Sequence, residues 1–149
     1  MIETAHWKDY VGRDEREQIE MKWRDMSPWK YSIRLSYAGF EPSYYDMFEA
    51  VGKFTQRLSH IDPSVSWIIC VCKNREPKYE DTNLRVHAHG VMTGRFIEDK
   101  LFELTNTKSK VGSRAHIQLF KGDNLEEQQM RYMNYVIDHT IKGCVRYAQ

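Results

Sequence analysis

The segment Leu84-Arg85-Val86-His87-Ala88-His89-Gly90-Val91-Met92 sets two histidines two residues apart in a run of strand-forming composition. On a strand such residues share a face, so His87 and His89 project side by side while the small Ala88 turns away. Two imidazoles on a rigid element supply half of a metal's coordination sphere. A third donor must come from elsewhere. If Glu80-Asp81-Thr82-Asn83 is a hairpin turn, Tyr79 pairs with Leu84 and Glu76 stands opposite His87, about 5 Å away on the same face. A longer loop instead sets Cys72 opposite His87, or leaves Glu80 curling back toward the pair. Two histidines and one carboxylate suit a hard-to-borderline divalent ion with open positions, Mn²⁺ or Mg²⁺. The plainer reading of the same pair is two histidines on a solvated or cross-strand-paired face.

A second constellation lies in the run from Gln128 to Lys142, where Tyr132, Tyr135, His139 and Lys142 step by three, four and three. That spacing lines one stripe of a helix. By itself it is also what an amphipathic helix with tyrosines at the core boundary looks like. A phenol, with an ordinary pKa near 10, is a poor nucleophile at neutral pH. A divalent metal polarises a phosphodiester and stabilises the charge developing on it, and a tyrosyl hydroxyl held over that phosphate can then attack. A histidine pair on a central strand, with a tyrosine helix packed over the sheet, is the layout such chemistry requires.

The elements that must position these residues follow from hydrophobic periodicity. Tyr31-Ser32-Ile33-Arg34-Leu35-Ser36-Tyr37 alternates as a half-buried strand does. Apolar residues at Tyr44, Met47, Phe48, Val51, Phe54 and Leu58 give an amphipathic helix ending near His60. Residues 65–75 are apolar at their centre without alternation, as in an interior strand, and Leu84 to Met92 is its hairpin partner. Phe96 to Leu104 suggests a short helix, and Ala115 to Phe120 a strand. The last helix starts at Asn124 as N-cap with Glu127 completing a capping box, runs through Met130, Met133, Val136 or Ile137 and Ile141, and stops at Gly143. Residues 1–27 are polar and read as a peripheral helix or a mobile arm. The order β-α-β-β-α-β-α predicts an α+β fold, a central antiparallel sheet flanked by helices.

Three segments resemble the motifs of the HUH endonucleases, and within them the rolling-circle replication initiator (Rep) proteins of plasmids and viruses. Tyr31 to Tyr37 is similar to the family's first strand motif, Val86-His87-Ala88-His89-Gly90 to its metal-binding motif, and Asn134-Tyr135-Val136-Ile137-Asp138 to its tyrosine motif. The resemblance covers residues 28–143, the catalytic core of one domain spanning 1–149, with a ferredoxin-like or RNA-recognition-like sheet. It implies a nicking and joining enzyme for single-stranded DNA. Tyr135 would attack the scissile phosphate and leave a 5′-phosphotyrosine link, His87 and His89 would hold the metal, and Glu76 would complete its ligands. The partners implied are a single-stranded origin sequence, with or without a hairpin, and host replication proteins; the exposed tyrosines leave room for a homodimer. Asp138 departs from the pattern, which has lysine there. Lys142 or His139 stands in for that charge, or His139 serves as a metal ligand as in the single-strand transposases. Tyr132, three residues before Tyr135 where two-tyrosine members use four, is the second candidate nucleophile. The rival readings are a transposase or relaxase of the same superfamily, and a non-catalytic single-strand binder.

Composition limits these readings. The chain has 149 residues, 22 Lys+Arg against 21 Asp+Glu, and a net charge of +1. That excludes a polycation whose whole surface grips phosphate and leaves room for a local basic rim. Arg34, Lys142, Lys108, Lys110 and Arg114 are the candidate phosphate contacts, with Tyr31 or Tyr37 as stacking platforms. No apolar run reaches the roughly 18 residues a bilayer span needs. Three cysteines, an odd number, and no apolar leader favour a reduced protein of the cytoplasm, or of the host-cell interior if viral.

Overall fold

The computed structural model describes residues 7–26, 28–37, 41–74, 86–95 and 113–148. Helix α1, Arg13–Asp25, is built from strong helix formers laced by Arg13–Glu17 and Arg16–Glu20 pairs, and it buries Ile19 and Trp23, one turn apart. Residues 7–26 of the polar N-terminal segment are therefore docked. Ahead of α1, Val11 donates its N–H to the Thr140 carbonyl, and the Tyr10 hydroxyl donates to the Lys73 carbonyl at 2.8 Å. Strand β1, Tyr31–Tyr37, alternates as expected. Helix α2, Tyr44–Ile61, opens on a capping box in which the Ser43 hydroxyl accepts from the Asp46 N–H and the Asp46 carboxylate accepts from the Ser43 N–H.

Strands β2 (Ser66–Cys72), β3 (His87–Thr93) and β4 (Ser113–Leu119), helix α3 (Leu125–Asp138) and strand β5 (Thr140–Ala148) complete the described elements. The five strands form one antiparallel sheet in the order β4-β1-β3-β2-β5. This is an α+β fold with helices on both faces. One face packs Ile33, Leu35, Ile69, Val71, Ala88 and Met92 against Met47, Val51, Phe54 and Leu58 of α2. On the other, Ile68, Cys70, Cys72 and Val91 meet Ile19 and Trp23 of α1 and Met133, Val136 and Ile137 of α3. Strand β2 is covered on both sides, which is why it shows no alternation.

At Gly90, β3 leaves no room for a side chain against the backbone of β2. A Cβ there would stand 2.1 Å from the Ile68 carbonyl oxygen and 2.8 Å from the Ile69 Cα. The residue after the histidine pair must therefore lack a side chain for these two strands to meet.

Two expectations are corrected. The last helix does not run on to Lys142: it ends at Asp138, and Thr140–Ala148 form a fifth strand paired with β2. Ile141 continues the helical spacing on paper, yet it is buried in the core beneath α2, on the face opposite α3. Gly143, expected as a helix cap, lies in β5 at φ 73°, its N–H held by the Glu15 carboxylate at 2.9 Å. Asn124 does precede α3, but in the left-handed region at φ 61° with no side-chain cap, so the expected capping box is absent. Instead the Gln128 amide donates to the Lys121 and Asp123 carbonyls, both at 3.0 Å. The helix expected around Phe96 to Leu104 and the turn at Glu80 to Asn83 lie outside the described residues.

Candidate functional site

Alternation along β3 aims His87 and His89 at the face that carries α3, and their rings meet edge-on with centroids 4.7 Å apart. Cross-strand pairing puts Cys72 opposite His87, and sets Cys70 and Arg34 opposite His89. This is the longer-loop register. The pairing of Glu76 with His87 is overturned, because β2 has already ended at Cys72 and the connection to β3 starts there. Glu76 and Glu80 themselves lie outside the described residues. Cys72 is fully buried, its thiol directed to the Cys70 and Val136 carbonyls and its pKa driven well up, chiefly by burial. A thiol held protonated in that way is no ready metal ligand.

Helix α3 brings both tyrosines to the histidines, in different states. Tyr135 is 44% exposed, with its ring centroid 5.9 Å from that of His89 and 4.7 Å from that of His139. Tyr132, one turn earlier, is wedged among Trp23, Phe120 and His89, edge-on to the last two. Its hydroxyl lies 3.3 Å from the Ile33 carbonyl and 3.3 Å from Nδ1 of His89. Burial first, and the neighbouring Cys72 and Cys70 next, push the Tyr132 phenol far above its ordinary pKa. Of the two tyrosines, Tyr135 has the hydroxyl that a solvent-borne substrate can reach.

His139 is the C-cap residue of α3, and its Nδ1 stands 2.7 Å from the Tyr135 carbonyl. A carbonyl only accepts, so Nδ1 carries a proton and donates it there. Asp138, at the position where the resemblance expects lysine, belongs to another contact: its carboxylate meets Arg16 of α1 at 2.5 Å. Arg16 also bonds Glu20 at 3.1 Å. The residue thus ties α3 to α1. Lys142 lies on β5 beyond the cap, so it does not share a helical stripe with Tyr135.

Among the described residues, the basic group that flanks the histidines is Arg34. It is exposed on β1, paired with His89 on one side and His116 of β4 on the other. Ser32, Ser36 and Gln118 share this face, which leaves a polar strip over β1 and β4 beside the buried cluster under α1 and α3. Tyr31 and Tyr37 are not stacking platforms: both are buried on the opposite face. Among the described residues the exposed aromatics are Trp7, Tyr45, Tyr135 and Tyr147. Lys108 and Lys110 lie outside the described residues, and Arg114 is on β4. Sequence reading missed Glu41, whose carboxylate accepts the Val86 N–H at 2.8 Å and fixes the chain just before His87. It also missed the contact of Tyr132 with His89, which depends on how α3 is rotated over the sheet.

Among the described residues no three His, Cys, Asp or Glu side chains converge as a metal site. The donors the described residues offer are two imidazoles, and the chemistry of the pair fits a divalent ion in one respect: a ligating imidazole must be neutral. His89 is held well below the ordinary histidine value of 6.5, first by burial and then by the charges of His87, Arg34 and His139. The unfolded chain therefore takes up a proton that the fold refuses. That gives stability which is whole above the unfolded value near 6.5 and lost as the pH falls below it. With EDTA present, the melting temperature of the wild type should drop between about pH 7 and 5, and His89→Gln should drop less. Equal slopes for the two proteins would contradict this assignment.

No protein-family model matches the chain, and no curated protein matches it. Among solved structures it is similar to the hypothetical protein ORF119 from Sulfolobus islandicus rod-shaped virus 1, with a TM-score of 0.45 and 12% identity over 83% of this chain and 94% of that one. A likeness of that degree carries no argument about function. Among the described residues, no helix is long and apolar enough to cross a membrane.

Proposed function

We propose that the protein is a metal-dependent nickase and ligase of single-stranded DNA of the HUH type, with Tyr135 as nucleophile, acting as an initiator of rolling-circle replication. The observation that carries the reading is the juxtaposition on one sheet face of an exposed phenol and a pair of neighbouring imidazoles, one of them held neutral.

The phosphodiester would enter between Tyr135 and the histidine pair, with its strand running over the polar strip of β1 and β4. Arg34 supplies a phosphate contact there, and His116 and Gln118 supply donors for backbone or bases. His87 and His89 would hold a divalent ion, which would supply polarisation of the phosphate. The Tyr135 oxygen forms a bond to phosphorus as the bond to the 3′ oxygen breaks. The phenolic proton is lost, and the departing 3′ oxygen takes up a proton to leave as a hydroxyl. The product is a 5′-phosphotyrosine, and attack by a 3′-hydroxyl reverses the step and rejoins the strand. His139 lies beside Tyr135, its Nδ1 tied to the Tyr135 carbonyl, where its ring can face the phosphate.

The test uses a pool of single-stranded oligonucleotides incubated with the protein and Mn²⁺. An SDS-resistant protein–DNA adduct is expected, absent with EDTA. His87→Ala and His89→Ala should each lower its yield at limiting Mn²⁺ by at least about a hundredfold. Undiminished adduct from the double alanine variant would remove the metal from the proposal.

A further inference from the structure

The geometry points to Tyr132 as a positioning residue: it locks His89 in the tautomer with the proton on Nδ1, so that Nε2 is the lone-pair nitrogen presented to a metal. This rests on the proposed role of His89, and it gives the second tyrosine a task other than nucleophilic attack.

The assignment comes from counting protons. The Tyr132 hydroxyl has one hydrogen; the Gly90 backbone N–H faces its oxygen as a donor, and at 3.3 Å stand the Ile33 carbonyl oxygen and Nδ1 of His89. The carbonyl can only accept, so the hydroxyl proton satisfies it. The remaining contact is then made only if His89 donates from Nδ1 to the phenol oxygen. A neutral imidazole with its proton on Nδ1 has its lone pair on Nε2. In the opposite tautomer the hydroxyl would have to turn its one proton to Nδ1 and leave the Ile33 carbonyl contact unmade, or keep that contact and set its lone pairs against that of Nδ1.

Rigidity makes the lock effective. The Tyr132 ring is held by a tilted contact with Trp23 at 6.1 Å and an edge-on contact with Phe120 at 5.9 Å between centroids. Its acceptor belongs to the backbone of a strand paired on both sides, with Ile33 set opposite Gly90, the residue after His89. Metal-ligating histidines are commonly oriented by an acceptor on their second nitrogen, and losing that acceptor typically weakens metal binding about 10- to 100-fold. His139 meets the same rule by a different route, through the Tyr135 carbonyl.

Two measurements test the lock. In metal-free protein, well above the ordinary histidine pKa, ¹⁵N NMR of His89, assigned by its loss in His89→Gln, should show the protonated nitrogen to be Nδ1. In Tyr132→Phe the same ring should shift toward a tautomer mixture. A proton on Nε2 in the wild type would overturn the inference, whether or not any metal binds. Mn²⁺ binding followed by EPR should then be about 10- to 100-fold weaker in Tyr132→Phe, with the half-saturating Mn²⁺ for adduct formation rising in parallel. Unchanged Mn²⁺ affinity with adduct lost at every Mn²⁺ concentration would overturn it too, and would make Tyr132 a nucleophile. If the wild type binds no Mn²⁺, the metal reading of His89 fails, and the NMR result still decides the lock.

Discussion

Tyr135→Phe is expected to form no SDS-resistant adduct with any single-stranded DNA, while binding Mn²⁺ with wild-type affinity. The substitution removes one oxygen from an exposed ring and leaves its contacts with His89 and His139 in place. Among the described residues no other phenol beside the histidines is placed to take over. Tyr132 is enclosed by three aromatic rings, with its hydroxyl engaged by the Ile33 carbonyl and by His89. Burial also raises the cost of forming its phenolate. The exposed Tyr147 lies on β5, paired with Ile68, with the Lys22 ammonium over its ring. Adduct retained at wild-type level in Tyr135→Phe would sink the assignment of the nucleophile, and lost Mn²⁺ affinity would show the ring to be needed for the metal site itself.

The largest expected loss of stability belongs to Gly90→Ala. The added methyl would have to occupy space 2.1 Å from one backbone atom of β2 and 2.8 Å from another. A flexible side chain could swing aside, but the Ile68 carbonyl and Ile69 Cα belong to a strand paired with both β3 and β5. Relief therefore means separating two interior strands and weakening their ladder. Overpacking of a well-filled core costs about 1–3 kcal/mol, and rigid backbone on the far side places this case at about 3 kcal/mol or more, out of a total stability of about 5–15. Urea unfolding followed by circular dichroism should show the midpoint falling sharply. Because Gly90 directly follows His89, the surviving folded fraction should also bind Mn²⁺ more weakly. A midpoint equal to that of the wild type would mean that β2 and β3 have room the structure does not show.

What was legible in the sequence followed from local periodicity. The alternation of Tyr31 to Tyr37, the three-and-four spacing from Tyr44 to Leu58 and the unbroken apolar run of β2 each identify their element, because each buries its pattern in the way the pattern implies. The His87–His89 pair was legible for the same reason, since two residues apart on a strand share a face wherever the strand lies. What failed depended on long-range choices. Thr140 to Ala148 holds Thr, Ile, Val and Tyr in strand-forming proportion. Ile141 nonetheless continued the helical stripe, and only the vacant edge of β2 decides for a strand. The placement of Glu76 failed because hairpin register depends on loop length, and a strand ending at Cys72 changes every partner downstream. The roles of Asp138 and Tyr132 come from the docking of α1 and α3, between residues far apart in sequence.

The most direct measurement of the proposed activity is mass spectrometry of the protein after incubation with Mn²⁺ and a cleaved single-stranded oligonucleotide, followed by nuclease and protease digestion. The nickase predicts a nucleotide-bearing peptide spanning Tyr135, with the phosphate on its phenol oxygen, and a cleaved strand ending in a free 3′-hydroxyl. Strand cleavage with no modified peptide, or with the nucleotide on a residue other than Tyr135, would contradict it.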